Sequence, residues 1–351
     1  MGTYFLRRFL LMIPTFLGIT VLVFTIMQFV PGGPIEQAVL KMRMAAASEG
    51  GMAGGSLSSG AEATLEMPTE ALAELKKQFR FDKPIPVRYL LWLNDLVHLN
   101  LGKSYKYNEP VWDVIRSRFP VSIYFGLIGF LLSYLVCIPL GVMKALRHGS
   151  RFDFASSTIV FIGYSIPGFA LGAMLLVLLG GGSFWDVFPL GGFRSENWDQ
   201  MWANGNYWWC IKDQVRHTVI PIVGYVMGGF ATMTLLMKNS LLENLGADYV
   251  RTSFAKGLPE RRVVFVHALR NSLIPISVGI GGEIGLLFAG SFLIERTCNI
   301  PGMGLLGFSS LLDRDYPVLM GILVIGVLLQ LIGNILSDVV LAVVDPRVRF
   351  R

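Results

Sequence analysis

Long uninterrupted apolar stretches constrain this chain more than any other feature of its sequence. A membrane-spanning helix needs roughly 20 predominantly apolar residues to cross the hydrocarbon core of a bilayer. Only 15% of the 351 residues are charged, too few to cover the surface of a soluble protein. The sequence therefore predicts an all-α polytopic membrane protein with six transmembrane helices. The six stretches are residues 9–30, 120–143, 154–185, 217–237, 271–294 and 316–344.

The basic residues predict how these helices are oriented. Lys and Arg are enriched in the short cytoplasmic loops of membrane proteins. Both termini are therefore expected in the cytoplasm, and the net charge of +6 needs no nucleic acid to explain it. The bases that define this side are Arg7 and Arg8, and those within 144–151, 238–270 and 347–351.

Three segments follow from this arrangement. We expect residues 1–30 to be an N-terminal transmembrane anchor, 31–119 to be a periplasmic segment, and 120–351 to form a five-helix core. Within the periplasmic segment, residues 45–63 are rich in Ala, Gly and Ser, a composition typical of a flexible linker.

A shorter apolar stretch lies at residues 87–101, before the second predicted span. It is too short to cross a membrane. Two interpretations stay open for it. One is an interfacial helix with Tyr89 and Trp92 at the depth of the lipid headgroups. The other is a small core helix outside the membrane.

The segment 243–271 connects the fourth and fifth predicted spans. Asp248 is a typical N-cap for a helix that runs through Lys256. Gly257 is suited to end that helix in a left-handed conformation, and Pro259 suits the first turn of a second helix. Such a helix–turn–helix element can fit a groove on a cytoplasmic partner and transmit its movement. The alternative is a basic linker next to the membrane.

Glu283 is predicted near the middle of the fifth span. A charge at the centre of a bilayer costs roughly 2.5–3.5 kcal/mol on insertion scales, so the side chain should face a cavity or a partner. Glycines around it permit the close approach of another helix. Glu283 either lines a pathway, where it contacts a substrate amine or carries a proton, or is a protonated or hydrogen-bonded packing residue.

The remaining polar residues predict no catalytic site and no metal site. Residues 102–104 read Gly-Lys-Ser, like the end of a phosphate-binding loop, but Val97 stands where that loop requires a glycine. The four histidines are scattered over different loops and predict no metal cluster. Cys210 and Cys298 are expected as separate thiols, with a disulfide between them as the alternative.

Several blocks of the sequence occur together in one known family. They lie at 100–104, 110–111, 118–120, 248–258, 266–275, 301–304, 314–317 and 345–349, together with Asn334 and Asp338. These blocks resemble the inner-membrane permease subunits of ABC importers for dipeptides, oligopeptides and nickel, and the resemblance covers nearly the whole chain apart from the linker 45–63. Residues 31–34 read Pro-Gly-Gly-Pro where the family has Pro-Gly-Asp-Pro, and the linker is longer than usual. Both departures resemble the branch that imports oligopeptides and microcin-C-type peptide antibiotics.

The resemblance implies a type I ABC importer permease fold in the bacterial inner membrane and a role in the ATP-driven import of peptides. It implies as partners a second homologous permease subunit, two cytoplasmic ATPase domains or a tandem ATPase, and a periplasmic substrate-binding protein. ATP and Mg²⁺ would be bound by the ATPase subunits. The chain itself is therefore expected to perform no catalysis and to need no cofactor.

The resemblance also assigns roles to individual residues. Ser165, Asn334 and Glu283 are candidates for lining the translocation pathway, but the case for Glu283 comes from its mid-span charge, because many members of the family carry an uncharged residue at its position. Coupling to the ATPase is assigned to Asp248, Tyr249, Arg251, Thr252, Ala255, Lys256, Gly257, Leu258 and His267.

Two rival hypotheses belong to different classes of protein. One is a stand-alone secondary transporter that uses Glu283 as a proton or ion site. Such transporters commonly contain inverted repeats, and no half of this sequence resembles the other. The other rival is a structural or assembly membrane protein without a pathway.

Overall fold

A computed structural model describes residues 2–29, 82–181, 184–280 and 290–344 of the chain. All the regular elements within these four ranges are helices, as the sequence predicts. In chain order they are α1 (Gly2–Phe29), α2 (Ile85–Val97), α3 (Val111–Leu146), α4 (Arg151–Ser165), α5 (Gly168–Leu179), α6 (Trp198–Ala203), α7 (Tyr207–Leu245), α8 (Asp248–Ala255), α9 (Glu260–Ser272), α10 (Ile274–Ile280), α11 (Phe292–Thr297), α12 (Met303–Leu312) and α13 (Tyr316–Val344).

Up to six membrane spans occur among the described residues. The helices α1, α3, α7 and α13 are each long and apolar enough to cross a membrane. Two bent pairs, α4 with α5 and α9 with α10, satisfy the same criterion when each pair is taken together. This number agrees with the six spans predicted from the sequence.

The third predicted span, 154–185, is not one continuous helix. The axes of α4 and α5 differ by 92° at the break around Ile166 and Pro167. Ile166 is extended, with a ψ of 121°, because the ring of a proline disfavours the helical conformation in the residue before it. Just after the break, Gly168 lies directly against the backbone of Gly224 in α7, where a side chain would collide. The break therefore lets the first turn of α5 pack closely on α7.

The second and fourth spans extend beyond the apolar stretches that predicted them. The helix α3 begins at Val111 and α7 begins at Tyr207, each well before the predicted apolar span. With 39 residues, α7 is about 58 Å long, far more than the roughly 30 Å of a hydrocarbon core. A span predicted from continuous apolar residues ends at the first charged residue, whereas the backbone hydrogen bonds of the helix continue past that residue.

The fifth predicted span, 271–294, is interrupted. The helices α9 and α10 meet at an angle of 41°, and α11 is a separate short helix. Gly290 has a φ of +67° and Ser291 is extended, so the chain does not enter α11 helically. The prediction is therefore wrong in its last part. Residues 281–289 lie outside the described residues.

The chain divides into two compact units. The first comprises Met1–Ile13, Arg116–Phe308 and Ile325–Arg351. The second comprises Pro14–Ile115 and Ser309–Val324.

Two apolar clusters form the core of the first unit. One surrounds Phe125 and Ile220 and joins α3, α5, α7 and α11. The other surrounds Met237 and Val263 and joins α3, α7, α8, α9 and α10. Because α7 contributes to both clusters, it connects the two cores along its length.

Candidate functional site

The loop 243–271 folds as two helices joined by a glycine turn. Gly257 follows the C-terminus of α8 with a φ of +75°, the left-handed conformation that the sequence predicts. Pro259 then occupies the N-cap position of α9, one residue before the helix starts. The element lies between α7 and α10, so any movement of the loop acts on two adjacent spans.

The prediction that Asp248 caps α8 is wrong. Ala247 occupies the N-cap position, and no side chain accepts a hydrogen bond there. Asp248 is instead the first helical residue, with an exposed carboxylate 3.6 Å from the Arg251 guanidinium. A negative charge in the first turn still favours the helix, because it lies near the positive end of the helix dipole.

The inner side of the loop is apolar and packs on the ends of α3 and α7. Val250 of α8 and Val263 of α9 are almost completely buried against Met237 and Leu241 of α7. Ala145 of α3 belongs to the same cluster. Burying a valine side chain contributes roughly 1.5–3 kcal/mol relative to exposure, so these contacts hold the loop firmly in place.

Hydrogen bonds add to this apolar packing between the loop and α7. Ser240 of α7 donates to the carbonyl of Ser272 at 3.0 Å, and Ser272 donates back to the carbonyl of Ser240 at 3.3 Å. The hydroxyl of Tyr249 donates to the side-chain oxygen of Asn244 at 2.7 Å. Both ends of the loop are therefore hydrogen-bonded to α7.

A wide helical turn lies in the middle of α9. Residues 263–268 follow the i→i+5 hydrogen-bonding pattern of a π-helix, which is rare and occurs frequently at functional sites. It turns Val263, Val264 and Ala268 inward while Phe265 and Val266 remain exposed. His267, one of the predicted coupling residues, is half-buried between these two sets.

The outer side of the loop is mixed, because α8 and α9 each expose charged side chains beside apolar ones. Three of the predicted coupling residues are half-buried and lie on the inner side of the loop instead of on its outer surface. They are Tyr249, Leu258 and His267. The outer surface includes three exposed apolar residues that the sequence did not single out, Phe254, Phe265 and Val266. The predicted coupling residues on the outer surface are Asp248, Arg251, Thr252, Ala255, Lys256 and Gly257.

A buried charged cluster ties together the ends of α3, α4 and α7 on the side where this loop lies. The ammonium group of Lys238 donates to both carboxylate oxygens of Asp153, at 2.7 and 2.8 Å. Lys144 is completely buried, 3.2 Å from the same carboxylate, and it also donates to the hydroxyls of Ser156 and Ser157. We call Lys144, Asp153 and Lys238 the charged cluster. The sequence analysis treated Lys144 only as an orientation signal.

The predicted pathway residues are not brought together by the described contacts. Ser165 is exposed at the end of α4 and donates to the carbonyl of Phe161 at 2.8 Å. Asn334 accepts a hydrogen bond from Gln330 within α13 at 3.2 Å. Glu283 lies outside the described residues. Asp338, near the end of α13, forms an ion pair with Arg8 at 2.8 Å.

Glu295 is a buried carboxylate that the sequence analysis missed. The amide of Leu305 donates to it at 2.6 Å, and the hydroxyl of Tyr225 donates at 3.2 Å. Ser122, 3.5 Å away, accepts a hydrogen bond from the amide of Met303. Glu295 thereby fixes the turn after α11 to α3 and α7. The sequence around Glu295 gave no local sign of this role, because its partners come from distant segments of the chain.

The described residues hold no disulfide and no cluster that suits a metal ion. Cys137, Cys210 and Cys298 are all buried free thiols. Within the described ranges, no group of three or more His, Cys, Asp or Glu side chains is suited to bind a metal.

Comparison with known proteins identifies the family. Residues 137–350, more than half of the chain, match the family described as binding-protein-dependent transport system inner membrane component. The chain is 40% identical to the peptidoglycan transport system permease protein YejB of Agrobacterium fabrum, over 100% of this chain and 99% of that protein. It is 32% identical to the oligopeptide permease AppB of Bacillus subtilis over the full length of both chains. It is also 32% identical to the dipeptide permease DppB of Escherichia coli K12, over 99% of each.

The chain therefore belongs to the family of binding-protein-dependent transport system inner membrane components, the permease subunits of ABC importers. It is a multi-pass protein of the inner membrane, and the ATPase of such systems is a separate subunit. Family membership decides against a stand-alone secondary transporter and against a purely structural membrane protein.

Proposed function

We propose that this chain forms half of a membrane pathway that imports peptides from the periplasm into the cytoplasm. Its relatives are named for oligopeptides, dipeptides and peptidoglycan. A peptide is the chemical unit common to all three, since peptidoglycan carries peptide stems. Oligopeptides are the first substrate class to test, followed by peptidoglycan-derived peptides and microcin-C-like peptide antibiotics.

In this proposal the loop 243–271 faces the cytoplasm and receives the movement of an ATPase subunit. The observation that carries the assignment is the division of the loop into two sides. Val250 and Val263 pack the inner side of the loop on α7, while Arg251 and Lys256 are exposed on its outer side. A loop packed on the spans transmits force to them, and its exposed charged and apolar side chains give a partner groups to bind as it changes conformation during each cycle.

The buried contacts give this movement a route into the membrane. A force on α8 reaches α7 through Val250 and Leu241, which belong to one cluster. From α7 it reaches α3 and α4 through the charged cluster, because Lys238 and Lys144 share the carboxylate of Asp153. Displacement of the loop thereby reorients three spans together instead of bending one.

The partners in this proposal are a second homologous permease, two ATPase domains or a tandem ATPase, and a periplasmic substrate-binding protein. ATP and Mg²⁺ are bound by the ATPase subunits, so the permease supplies no catalytic residue. Substrate selection rests largely with the binding protein, and the permease provides a tolerant path. Both termini of the chain lie in the cytoplasm in this arrangement.

The proposal is tested by reconstitution. The permease pair, ATPase and binding protein are assembled in proteoliposomes, and uptake of a labelled oligopeptide is compared with uptake of a peptidoglycan-derived peptide. Arg251→Glu should abolish ATP-dependent uptake of both while leaving the chain inserted. Glu243→Gln, at the exposed start of the loop, is the matched control and should retain uptake. Uptake that continues without the ATPase and collapses with the proton gradient would overturn the proposal.

Glu283 has a separate test. If its charge contacts the peptide amine or carries a proton, Glu283→Gln should reduce uptake and change the dependence of uptake on pH. Unchanged uptake across peptides and pH values would assign Glu283 to packing alone.

A further inference from the structure

The helix α2 has three chemically distinct sides. Successive residues of a helix are rotated by about 100°, so Leu90, Leu93 and Val97 fall within about 60° of one another. Arg88 and Asp95 lie together on the opposite side of the helix, about 180° away. None of the side chains of α2 is fully buried, and Leu90 and Val97 are 62% and 73% exposed. We call Leu90, Leu93 and Val97 the apolar stripe.

The third side of α2 packs on the transmembrane helix α1. The rings of Tyr89 and Trp92 lie 5.5 and 5.7 Å from the ring of Phe24, centroid to centroid. The hydroxyl of Tyr89 is 3.0 Å from that of Thr20. Tyr89 and Trp92, one turn apart on α2, therefore pack around Phe24 of α1.

The position of Phe24 along α1 gives the depth of this contact. The apolar part of α1 begins at Phe9, after Arg7 and Arg8, and the span ends at Phe29. At 1.5 Å per residue, Phe24 lies about 23 Å from Phe9 along the axis, within about 10 Å of the far boundary of a hydrocarbon core of roughly 30 Å. Leu22 and Ile26 of α1 are exposed at the same level, as lipid-facing residues are. The contact between α1 and α2 therefore lies near the outer boundary of the hydrocarbon core.

We propose that α2 lies in the membrane interface and that its apolar stripe contacts the acyl chains of the lipid. Leu22 and Ile26 of α1 are exposed at the level where α2 packs, so the lipid that surrounds α1 there is the occupant that the exposed apolar stripe meets. Arg88 and Asp95 are half-buried on the opposite side of α2, from which their charged ends can extend toward the headgroups. Tyr89 and Trp92 then occupy the depth at which aromatic side chains concentrate in membrane proteins. This arrangement decides between the two interpretations that the sequence leaves open for residues 87–101. It is independent of the peptide-import function.

The geometry gives α2 a role as an anchor. A helix fixed in the interface and packed on α1 prevents the outer end of α1 from moving along the membrane normal. Interfacial helices bury their apolar side about 5–10 Å into the boundary between headgroups and acyl chains. The residues after α2 are therefore held at a defined height above the bilayer.

Site-directed spin labelling tests the proposal on the assembled transporter in lipid nanodiscs. A nitroxide is attached to Leu90→Cys on the apolar stripe and to Asp95→Cys on the polar side. Unmodified protein is the blank, because its described cysteines are buried. Accessibility to oxygen, which concentrates in acyl chains, is compared with accessibility to a water-soluble nickel chelate. We expect the oxygen-to-nickel ratio to be several-fold higher at Leu90 than at Asp95.

Two results would overturn the proposal. Equal nickel accessibility at the two positions places the stripe in water. Low accessibility to both oxygen and nickel at Leu90 places it against protein, either residues 30–81 of this chain or a partner subunit. Should the label at Leu90 prevent assembly, Val97→Cys lies two turns further along the same stripe and gives the same comparison.

Discussion

The hydroxyl of Ser104 donates a hydrogen bond to the carboxylate of Asp315, 211 residues further along the chain. The amides of Tyr105 and Lys106 donate to the same carboxylate at 3.1 and 3.2 Å. Asp315 is completely buried, so these donors replace the water that its charge has lost. Burial, together with the nearby Asp315 carboxylate, raises the pKa of Tyr105 above its usual range, and its phenol stays neutral. Two sequence blocks that carry the resemblance thus form one polar cluster.

Loss of this acceptor should destabilise the protein. Asp315→Ala leaves the hydroxyl of Ser104 and two amides without their partner, and we expect a loss of about 3 kcal/mol in unfolding free energy. The measurement is thermal unfolding of the purified protein in detergent, followed by tryptophan fluorescence. Asp313→Ala is the matched control, because Asp313 forms a half-exposed ion pair with Lys106 and should matter by less than about 1 kcal/mol. Equal effects of the two substitutions would contradict the assignment.

The glycine turn of the coupling loop should be required for transport. Gly257→Ala places a Cβ in open space but forces a left-handed conformation, which costs roughly 1–2 kcal/mol for a residue with a side chain. We expect peptide uptake and peptide-stimulated ATPase activity to fall together, with normal membrane insertion. Gly246→Ala is the control, because Gly246 has an ordinary φ of −78° and tolerates a side chain. Equal uptake by the two variants would show that the turn geometry is dispensable.

Neutralising the centre of the charged cluster should be costly. Asp153→Asn leaves the buried ammonium of Lys144 without its counter-charge, and we expect a loss of about 3–5 kcal/mol. The double variant Lys144→Met, Asp153→Asn should recover part of that loss, since it removes the fully buried one of the two uncompensated ammonium groups and leaves only Lys238. Unfolding of both variants in detergent gives the comparison. As a control, Asp199→Asn alters an exposed ion pair with Arg194 and should change stability little. No recovery in the double variant would refute the proposed cause.

The position of the Glu295 carboxylate should depend on glycine at position 302. A Cβ built on Gly302 meets Oε2 of Glu295 at 2.6 Å and collides with its Cδ and Oε1. Gly302→Ala should therefore displace the carboxylate from the amide of Leu305 and lower the thermal unfolding temperature by several degrees. Gly326→Ala, in the middle of α13, has open space around its Cβ and should be neutral or stabilising. A stable Gly302→Ala variant would contradict the tight packing.

The features predicted correctly from the sequence are those that depend on nearby residues. The left-handed turn at Gly257 follows from local conformational preference, and the membrane spans follow from the length of continuous apolar stretches. The N-cap prediction at Asp248 failed because the helix begins at that residue instead of after it. A one-residue shift is enough to change a capping side chain into an exposed one.

Contacts between distant segments account for what the sequence did not reveal. Glu295 looks like an ordinary loop acid until the fold places Ser122, Tyr225 and Leu305 around it. Lys144 looks like an orientation signal until α4 supplies Asp153.

The sequence by itself determined that this chain is a helical membrane protein with up to six spans and a structured loop between two of them. Hydrophobicity and backbone preference act over a few consecutive residues, so they can be read along the chain. The tertiary structure alone decided where the third and fifth spans break, which side of the loop is buried, and which charges are compensated inside the protein. These depend on the packing of segments such as those of Ser104 and Asp315, whose free energy appears only when the chain brings them into contact.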